Sequence, residues 1–216
     1  MKIYAMSDIH GCLSEFNDAL ELVDLSGENI LVLCGDYIHG PDSYGVLDKV
    51  ISLQRRYGCD KVIALMGNHE EFVANGRFPI DTENDRNNDD YYMEWMAELP
   101  RYYATDKQIF CHAGVNEEAG EMWEEYTDDY TYTEKDDIQH GTFCMDVIAG
   151  HMATSQAADD PRFHDIYYDG ESHYYIDGSV LDSGVLPVLM YDTQTEQYYS
   201  VTEYGQYPVE PYGEDL

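Results

Sequence analysis

Four short polar clusters stand where apolar runs stop: Asp8-Ile9-His10-Gly11, Gly35-Asp36-Tyr37, Gly67-Asn68-His69-Glu70 and His112-Ala113-Gly114. A fifth, Gly150-His151, closes a later apolar run. Asp8, His10, Asp36, Asn68, His112 and His151 thus offer two carboxylates, one amide oxygen and three imidazoles. A pair of divalent cations about 3.5–4 Å apart needs one bridging ligand and several terminal ones, and a carboxylate suits the bridge because both of its oxygens can bind. Hard oxygens mixed with imidazole suit manganese, iron or zinc better than calcium or magnesium. Each residue has a plainer reading taken singly: an Asp after a strand is often a helix cap, and an isolated His there is more often a satisfied polar group. Six such residues at the ends of five strands point instead to a two-metal site.

The elements that must position these residues can be read from apolar periodicity. Ile3 to Met6 is a first strand. Phe16, Ala19, Leu20 and Val23 then recur at helical spacing, with Ser14 as candidate N-cap and Gly27 past the end. Asn29 to Cys34 and Lys61 to Met66 are continuous apolar runs of the kind that parallel sheets bury on both faces. Between them Val46, Leu47, Val50 and Ile51 form an amphipathic helix closed by Gly58. The opening third therefore reads βαβαβ, with the polar clusters at the strands' carboxyl ends, where such sheets place sites.

Phe72 to Asn75 predicts a short helix, Asp81 to Asp90 a surface loop, and Tyr91 to Leu99 a helix stopped by Pro100. Gln108 to Cys111 and Asp146 to Ala149 are further strands, while Glu117 to Asp137, acidic and Tyr-rich around Trp123, gives no clear assignment. Beyond it the texture is all-β: Ile166 to Tyr168, His173 to Ile176, Val185 to Tyr191 and Tyr198 to Val201. The expected organisation is one α/β domain over residues 1–203 with a poorly ordered acidic, Pro-containing tail over 204–216.

The chain has 44 acidic residues against 11 basic and a formal net charge of −33. Such a surface repels nucleic-acid backbones and anionic lipid, whose binding needs Lys and Arg. No nucleic-acid or membrane partner is expected. The acidity fits salt tolerance or simply a solvated surface. No run of about 18 apolar residues could span a membrane, no secretory leader is evident, and the cytoplasm is the expected location. Cys12, Cys34, Cys59, Cys111 and Cys144 are odd in number and widely spaced, which fits reduced thiols better than a disulfide framework or thiolate zinc site.

The five clusters, in this order and spacing, resemble the signature motifs of calcineurin-like metallophosphoesterases, in the phosphoprotein-phosphatase branch that includes bacterial and phage serine/threonine phosphatases and symmetrical diadenosine tetraphosphatases. The run His173 to Gly178 further resembles a strand that follows in that branch. The resemblance implies an α-β-β-α sandwich, two mixed central sheets flanked by helices. It implies that Asp8, His10 and Asp36 hold one metal and that Asp36, Asn68, His112 and His151 hold the second, manganese before iron or zinc. A hydroxide between the metals would attack phosphorus in line, and His69 would protonate the leaving group, its alternative role being to orient a ligand. No other cofactor is implied.

Departures from the pattern bear on substrate. Where relatives carry Asp-Arg-Gly after the second cluster, this chain has His39-Gly40-Pro41-Asp42, and Met66 stands where Arg or Lys commonly precedes Gly-Asn-His-Glu. The guanidinium forks that grip a phosphomonoester are missing. Arg77, Arg101 or Lys135 could replace them; His39 could partner His69 or donate in their place, and Asp42 could restore the missing Asp. The expected activity is phosphoester hydrolysis, most like a serine/threonine protein phosphatase acting on a phosphoprotein. The alternatives are hydrolysis of a dinucleoside polyphosphate or other phosphodiester, and a metal-binding module without efficient turnover.

Overall fold

The computed structural model describes residues 1–81 and 89–213. In chain order it contains β1 (Lys2–Met6), α1 (Leu13–Glu21), β2 (Ile30–Leu33), α2 (Ser43–Tyr57), β3 (Val62–Ala64), α3 (Asn68–Ala74), α4 (Asp89–Ala97), β4 (Tyr102–Ala104) and β5 (Gln108–Cys111). After a 3-10 segment over Glu117–Met122 come α5 (Trp123–Tyr126), α6 (Asp129–Glu134), β6 (Asp146–Ala153), α7 (Thr154–Ala157), β7 (Tyr167–Tyr168), β8 (His173–Asp177), α8 (Val180–Ser183), β9 (Leu189–Asp192), β10 (Gln197–Thr202) and β11 (Gly205–Pro208).

Two mixed sheets result, in the orders β11-β10-β9-β1-β2-β3 and β4-β5-β6-β8-β7. β1, β2 and β3 run parallel, as do β5, β6 and β8, while β9 to β11, β4 and β7 add antiparallel edges. The two-residue period of a strand sorts its side chains between layers. Ile3, Ala5, Ile30 and Val32 face inward against Phe110, Ile148 and Ile176 of the second sheet. Tyr4, Met6, Leu31 and Leu33 face outward against Phe16, Val46, Leu47, Val50 and Met96 of the first helical layer. On the far side, Ile109, Cys111, Val147 and Tyr175 pack beneath Trp123 and Tyr132. This is the α-β-β-α sandwich.

Several boundaries differ from the sequence reading. Cys12, not Ser14, is the N-cap of α1. The strand expected over Val185 to Tyr191 starts at Leu189, after Pro187, which has no N–H for a ladder. Gly205–Pro208 is not an unstructured tail: it pairs antiparallel with β10, Tyr199 opposite Pro208, as an edge strand where Pro is tolerated. Of the expected loop over Asp81 to Asp90, residues 82–88 lie outside the described residues and Asp89 already opens α4; residues 214–216 also lie outside them. No helix among the described residues is long and apolar enough to cross a membrane.

Candidate functional site

The carboxyl ends of β1, β2, β3 and β5 bring the first four clusters together. Backbone bonds lock the loops to one another: Asp8 N to Gly35 O at 3.1 Å, His10 N to Asp36 O at 2.9 Å and Gly11 N to Tyr37 O at 2.8 Å. Gly35 and Gly67 permit the closest approach, since a Cβ on Gly35 would lie 2.6 Å from the Cα of Gly67 and one on Gly67 would lie 2.1 Å from Asp36 Oδ1. His151 is not past a strand end as expected; it lies within β6, where the register with β8 shifts between Ala149 and Ala153. The bulge turns the chain so that His151 N donates to Asp8 Oδ2 at 3.0 Å, with the imidazole beside that of His112 at 5.0 Å between ring centres.

Five residues here hold left-handed backbone conformations: Asp8 (φ 54°), His10 (44°), Asp36 (57°), His39 (66°) and His151 (60°). Asn, Asp and His tolerate this region better than other side chains, and a cluster of such positions marks stored strain at a working site.

The lone pairs converge. His10 Nδ1–H donates to Ile38 O (3.0 Å) and His112 Nδ1–H donates to Cys34 O (2.8 Å). With Nδ1 carrying the proton of each ring, Nε2 is turned to Asp36 Oδ2, at 3.6 Å from His10 and 3.5 Å from His112. Asn68 Oδ1 lies 3.1 Å from His112 Nε2, and Asp8 Oδ1 lies 3.9 Å from His10 Nε2. Acceptors facing acceptors at these distances are relieved by a positive charge between them, a proton or a metal ion. Two sets of donor atoms lie close enough for an ion, His10 with Asp36 and His69, and Asp8 with Asp36 and His112, and Asp36 belongs to both.

The electrostatics agree. Asp8 and Asp36 are buried, and no Lys or Arg pairs with either among the described residues. Burial and the neighbouring Asp8 push Asp36 up to about 8. Burial and Asp8 likewise push Asp177, at the end of β8, up to about 7. For His10 burial opposes protonation, but the fields of Asp36 and Asp8 prevail and raise it. A dication among these carboxylates reverses the penalty. The mixed oxygen and imidazole set therefore fits divalent metal ions on its own chemistry.

His69 enters at the start of α3, its Nε2 3.8 Å from Asp36 Oδ2. Its Nδ1 meets His39 Nδ1 at 2.7 Å, while His39 Nε2 donates to Pro79 O at 2.9 Å. With the His39 proton on Nε2, its Nδ1 accepts, so His69 carries its proton on Nδ1 and presents a bare Nε2 to the site. Burial, helped by His10, His39 and His112, drives His69 down to about 3. Burial and His112 drive His151 down to about 4. Asp42 does not join this pair. It caps α2, its Oδ1 accepting from Gly45 N at 2.9 Å, so the expectation that it restores the missing Asp is corrected: His39 occupies that place.

The sequence reading gave no role to Glu70, which is fully buried. Its carboxylate accepts from Asp36 N (2.7 Å), Tyr37 N (2.8 Å) and Gly67 N (3.1 Å), tying the ends of β2 and β3 together. A Glu three residues into a helix that follows a strand is a capping signal, the one hint the sequence held. Asp177 was likewise missed; its Oδ1 accepts from Ser179 N at 2.7 Å.

The three cations considered as clamps are placed differently. Arg101 is held by Glu71 (2.8 Å) and Asp129 (2.9 Å). Lys135 donates to Val115 O at 2.9 Å, beside Gly114. Arg77 lies over the Phe72 ring, 5.5 Å from its centre.

The calcineurin-like phosphoesterase profile matches residues 1–182. The chain belongs to that family. The family implies divalent metal ions in a dinuclear site, in accord with the donor geometry. Among curated relatives, the symmetrical bis(5'-nucleosyl)-tetraphosphatase of Janthinobacterium sp. (strain Marseille) is 31% identical over 126 residues, covering 53% of this chain and 44% of the relative. That of Wigglesworthia glossinidia brevipalpis is 40% identical over 72 residues, covering 32% of this chain and 25% of the relative. The chain therefore spans less than half the length of these relatives.

Among solved structures, the cold-active protein-tyrosine phosphatase of a psychrophile, Shewanella sp., matches with a TM-score of 0.69 and 16% identity over 97% of this chain and 80% of that one. A protein serine/threonine phosphatase from Saccharomyces cerevisiae matches with a TM-score of 0.63 and 10% identity over 97% and 79%. These likenesses establish a shared fold.

Proposed function

We propose that the chain is a dinuclear-metal-dependent hydrolase of a dinucleoside polyphosphate, splitting one phosphoanhydride to leave two nucleotides. The observation that carries the metal-dependent part is the convergence of bare imidazole nitrogens and buried carboxylates on Asp36 Oδ2. Asp8, His10 and Asp36 would hold one ion and Asp36, Asn68, His112 and His151 the other, with manganese the metal to load first. Bound there, the ions act as Lewis acids on phosphoryl oxygens and make water a nucleophile near neutral pH.

The chain's own groups do the rest. The carbonyls of Ile38 and Cys34 keep the Nδ1 protons of His10 and His112 out of the donor cluster. Glu70 holds the backbone of Asp36, and so its carboxylate, in position. His39, anchored on Pro79 O, orients the His69 ring.

Two features favour an anhydride over a phosphoprotein. No guanidinium fork faces the cluster among the described residues, and a phosphorus inside an anhydride carries less charge than a monoester dianion and needs such forks less. His69, its Nδ1 proton turned to His39, presents a bare Nε2 to the site; a departing phosphate needs a proton less than a departing serine or threonine alkoxide does. The named activity of the relatives points the same way.

The test is a substrate panel on the manganese-loaded protein: a dinucleoside tetraphosphate, bis-p-nitrophenyl phosphate, p-nitrophenyl phosphate and a phosphopeptide. The dinucleoside tetraphosphate is expected to give the highest kcat/KM, with two nucleoside diphosphates as products. Preference for the phosphopeptide would return the protein-phosphatase reading, and no turnover with two ions bound would leave a metal-binding module.

A further inference from the structure

Resting on the reading above, we propose that the turn carrying Arg77 and Phe78 is the seat of one nucleotide of the substrate, Phe78 stacking on its base and Arg77 pairing with its phosphates. Single exposed aromatic residues are ordinary. Phe78 is 55% exposed, but it ends a chain of rings that starts in the active site. His69 lies 6.3 Å from Phe72 between ring centres, Phe72 lies 5.7 Å from Phe78, and Phe78 lies 6.4 Å from His39 in an edge-on contact of 83°.

The turn is fixed at both ends. Arg77 N donates to Phe72 O at 2.8 Å where α3 stops, Pro79 O accepts from His39 Nε2 at 2.9 Å, and Ile80 is buried in the core. Phe78 is thereby presented to solvent from a rigid support beside the His39–His69 pair. Stacking on a preordered ring loses little side-chain freedom, and every nucleobase offers a π-face.

Arg77 supplies the second half. In a chain with 44 acidic residues against 11 basic, Arg101, Lys107 and Arg162 pair with carboxylates, whereas Arg55 and Arg56 lie over tyrosine rings. Among the described residues Arg77 has no carboxylate partner, and its guanidinium and His69 flank the same Phe72 ring. An unpaired guanidinium one ring away from the site, next to an exposed aromatic, matches the phosphate-and-base chemistry of a nucleoside phosphate.

The experiment compares wild type with Phe78→Ala, Phe78→Tyr and Arg77→Gln. Two quantities are read: the Kd of a methylene-bridged dinucleoside tetraphosphate by calorimetry, and the ratio of kcat/KM for a dinucleoside tetraphosphate to that for inorganic tripolyphosphate. Phe78→Ala is expected to weaken Kd and lower the ratio by about tenfold, the order of one stacked base. Phe78→Tyr, which keeps a ring, restores both, and Arg77→Gln raises KM for both substrates alike. If wild type cleaves the dinucleoside but Phe78→Ala keeps Kd and ratio within twofold, the seat is elsewhere and the proposed activity stands. If wild type neither binds nor cleaves the dinucleoside while turning over another ester of the panel, the proposed activity fails, and this inference with it.

Discussion

Replacing Glu70 by Gln isolates the scaffold of the site from its ligands. In wild type, Oε2 accepts from Asp36 N and Gly67 N and Oε1 accepts from Tyr37 N, all inside the protein. Gln has the same shape but only one acceptor oxygen. If its NH2 takes the Oε2 place, two N–H groups lose their partner; in the Oε1 place only Tyr37 N does, so the second orientation prevails. One buried donor left unpaired costs about 1–3 kcal/mol, and above about pH 7, to which burial and Asp36 raise the Glu70 carboxyl, the two remaining bonds weaken because the acceptor is no longer charged. The variant should therefore unfold at least about 1–3 kcal/mol more easily in denaturant titration, with each kcal/mol lowering Tm by roughly 2–4 °C. Asp36 N is among the tethered groups, so loosening it should also weaken manganese binding about 10–100-fold in calorimetry, as losing support behind a ligand does. An unfolding free energy within about 0.5 kcal/mol of wild type, or an unaltered manganese Kd, would refute the view that Glu70 holds the metal site's backbone.

Asp36→Asn should abolish binding of both ions in elemental analysis, and turnover with it; a variant that keeps two ions at full rate would contradict the bridging place given to Asp36. His69→Asn should keep two ions and slow the dinucleoside tetraphosphate by less than about tenfold, since the ring turns a bare Nε2 and no proton to the site; loss of one ion would instead make His69 a ligand. His173 offers a pH test away from the site. It is buried between Asp169 (2.8 Å) and Glu117 (3.0 Å), and although burial opposes its charge, these bonds raise its pKa above 6.5. Its contribution to stability is therefore full below about pH 6.5 and is lost as pH rises through the higher folded value. The difference in unfolding free energy between wild type and His173→Gln should shrink from pH 6 to pH 9, and a difference that grows over this range would reverse the assignment.

The parts of the fold legible in the sequence are those where burial is extreme. Ile30 to Leu33 and Val62 to Ala64 are covered on both faces, and a continuous apolar run is the direct trace of that environment. β4 and β11 left no such trace: Tyr102 to Ala104 are only half-buried, and Gly205 to Pro208 are mostly exposed and end in Pro. The segment around Trp123 and Tyr132 resisted assignment because its helices are very short and are held by two anchors beneath a polar exterior. Within the site, residue types and spacing nominated Asp8, His10, Asn68 and His112, whose side chains converge with Asp36. What they could not convey was direction: the bulge that turns His151, the carbonyls that fix the imidazole protons, and the capping of α2 by Asp42, which leaves His39 beside His69.

The left-handed backbone at Asp8, His10, Asp36, His39 and His151 limits which sequences can occupy this scaffold. A β-branched or bulky residue at any of them meets a steric penalty before its chemistry is considered, whereas Asn, Asp, His and Gly fit. At Asp8, His10, Asp36 and His151, the ones proposed to hold metal, a second filter would act beside that of the backbone. A descendant that ceased to bind metal would still be confined to this small alphabet and would go on looking like a member of its family. For chains of this shape, an intact set of polar clusters records the geometry of the loops as much as the survival of catalysis, and metal content and turnover must be measured to tell the two apart.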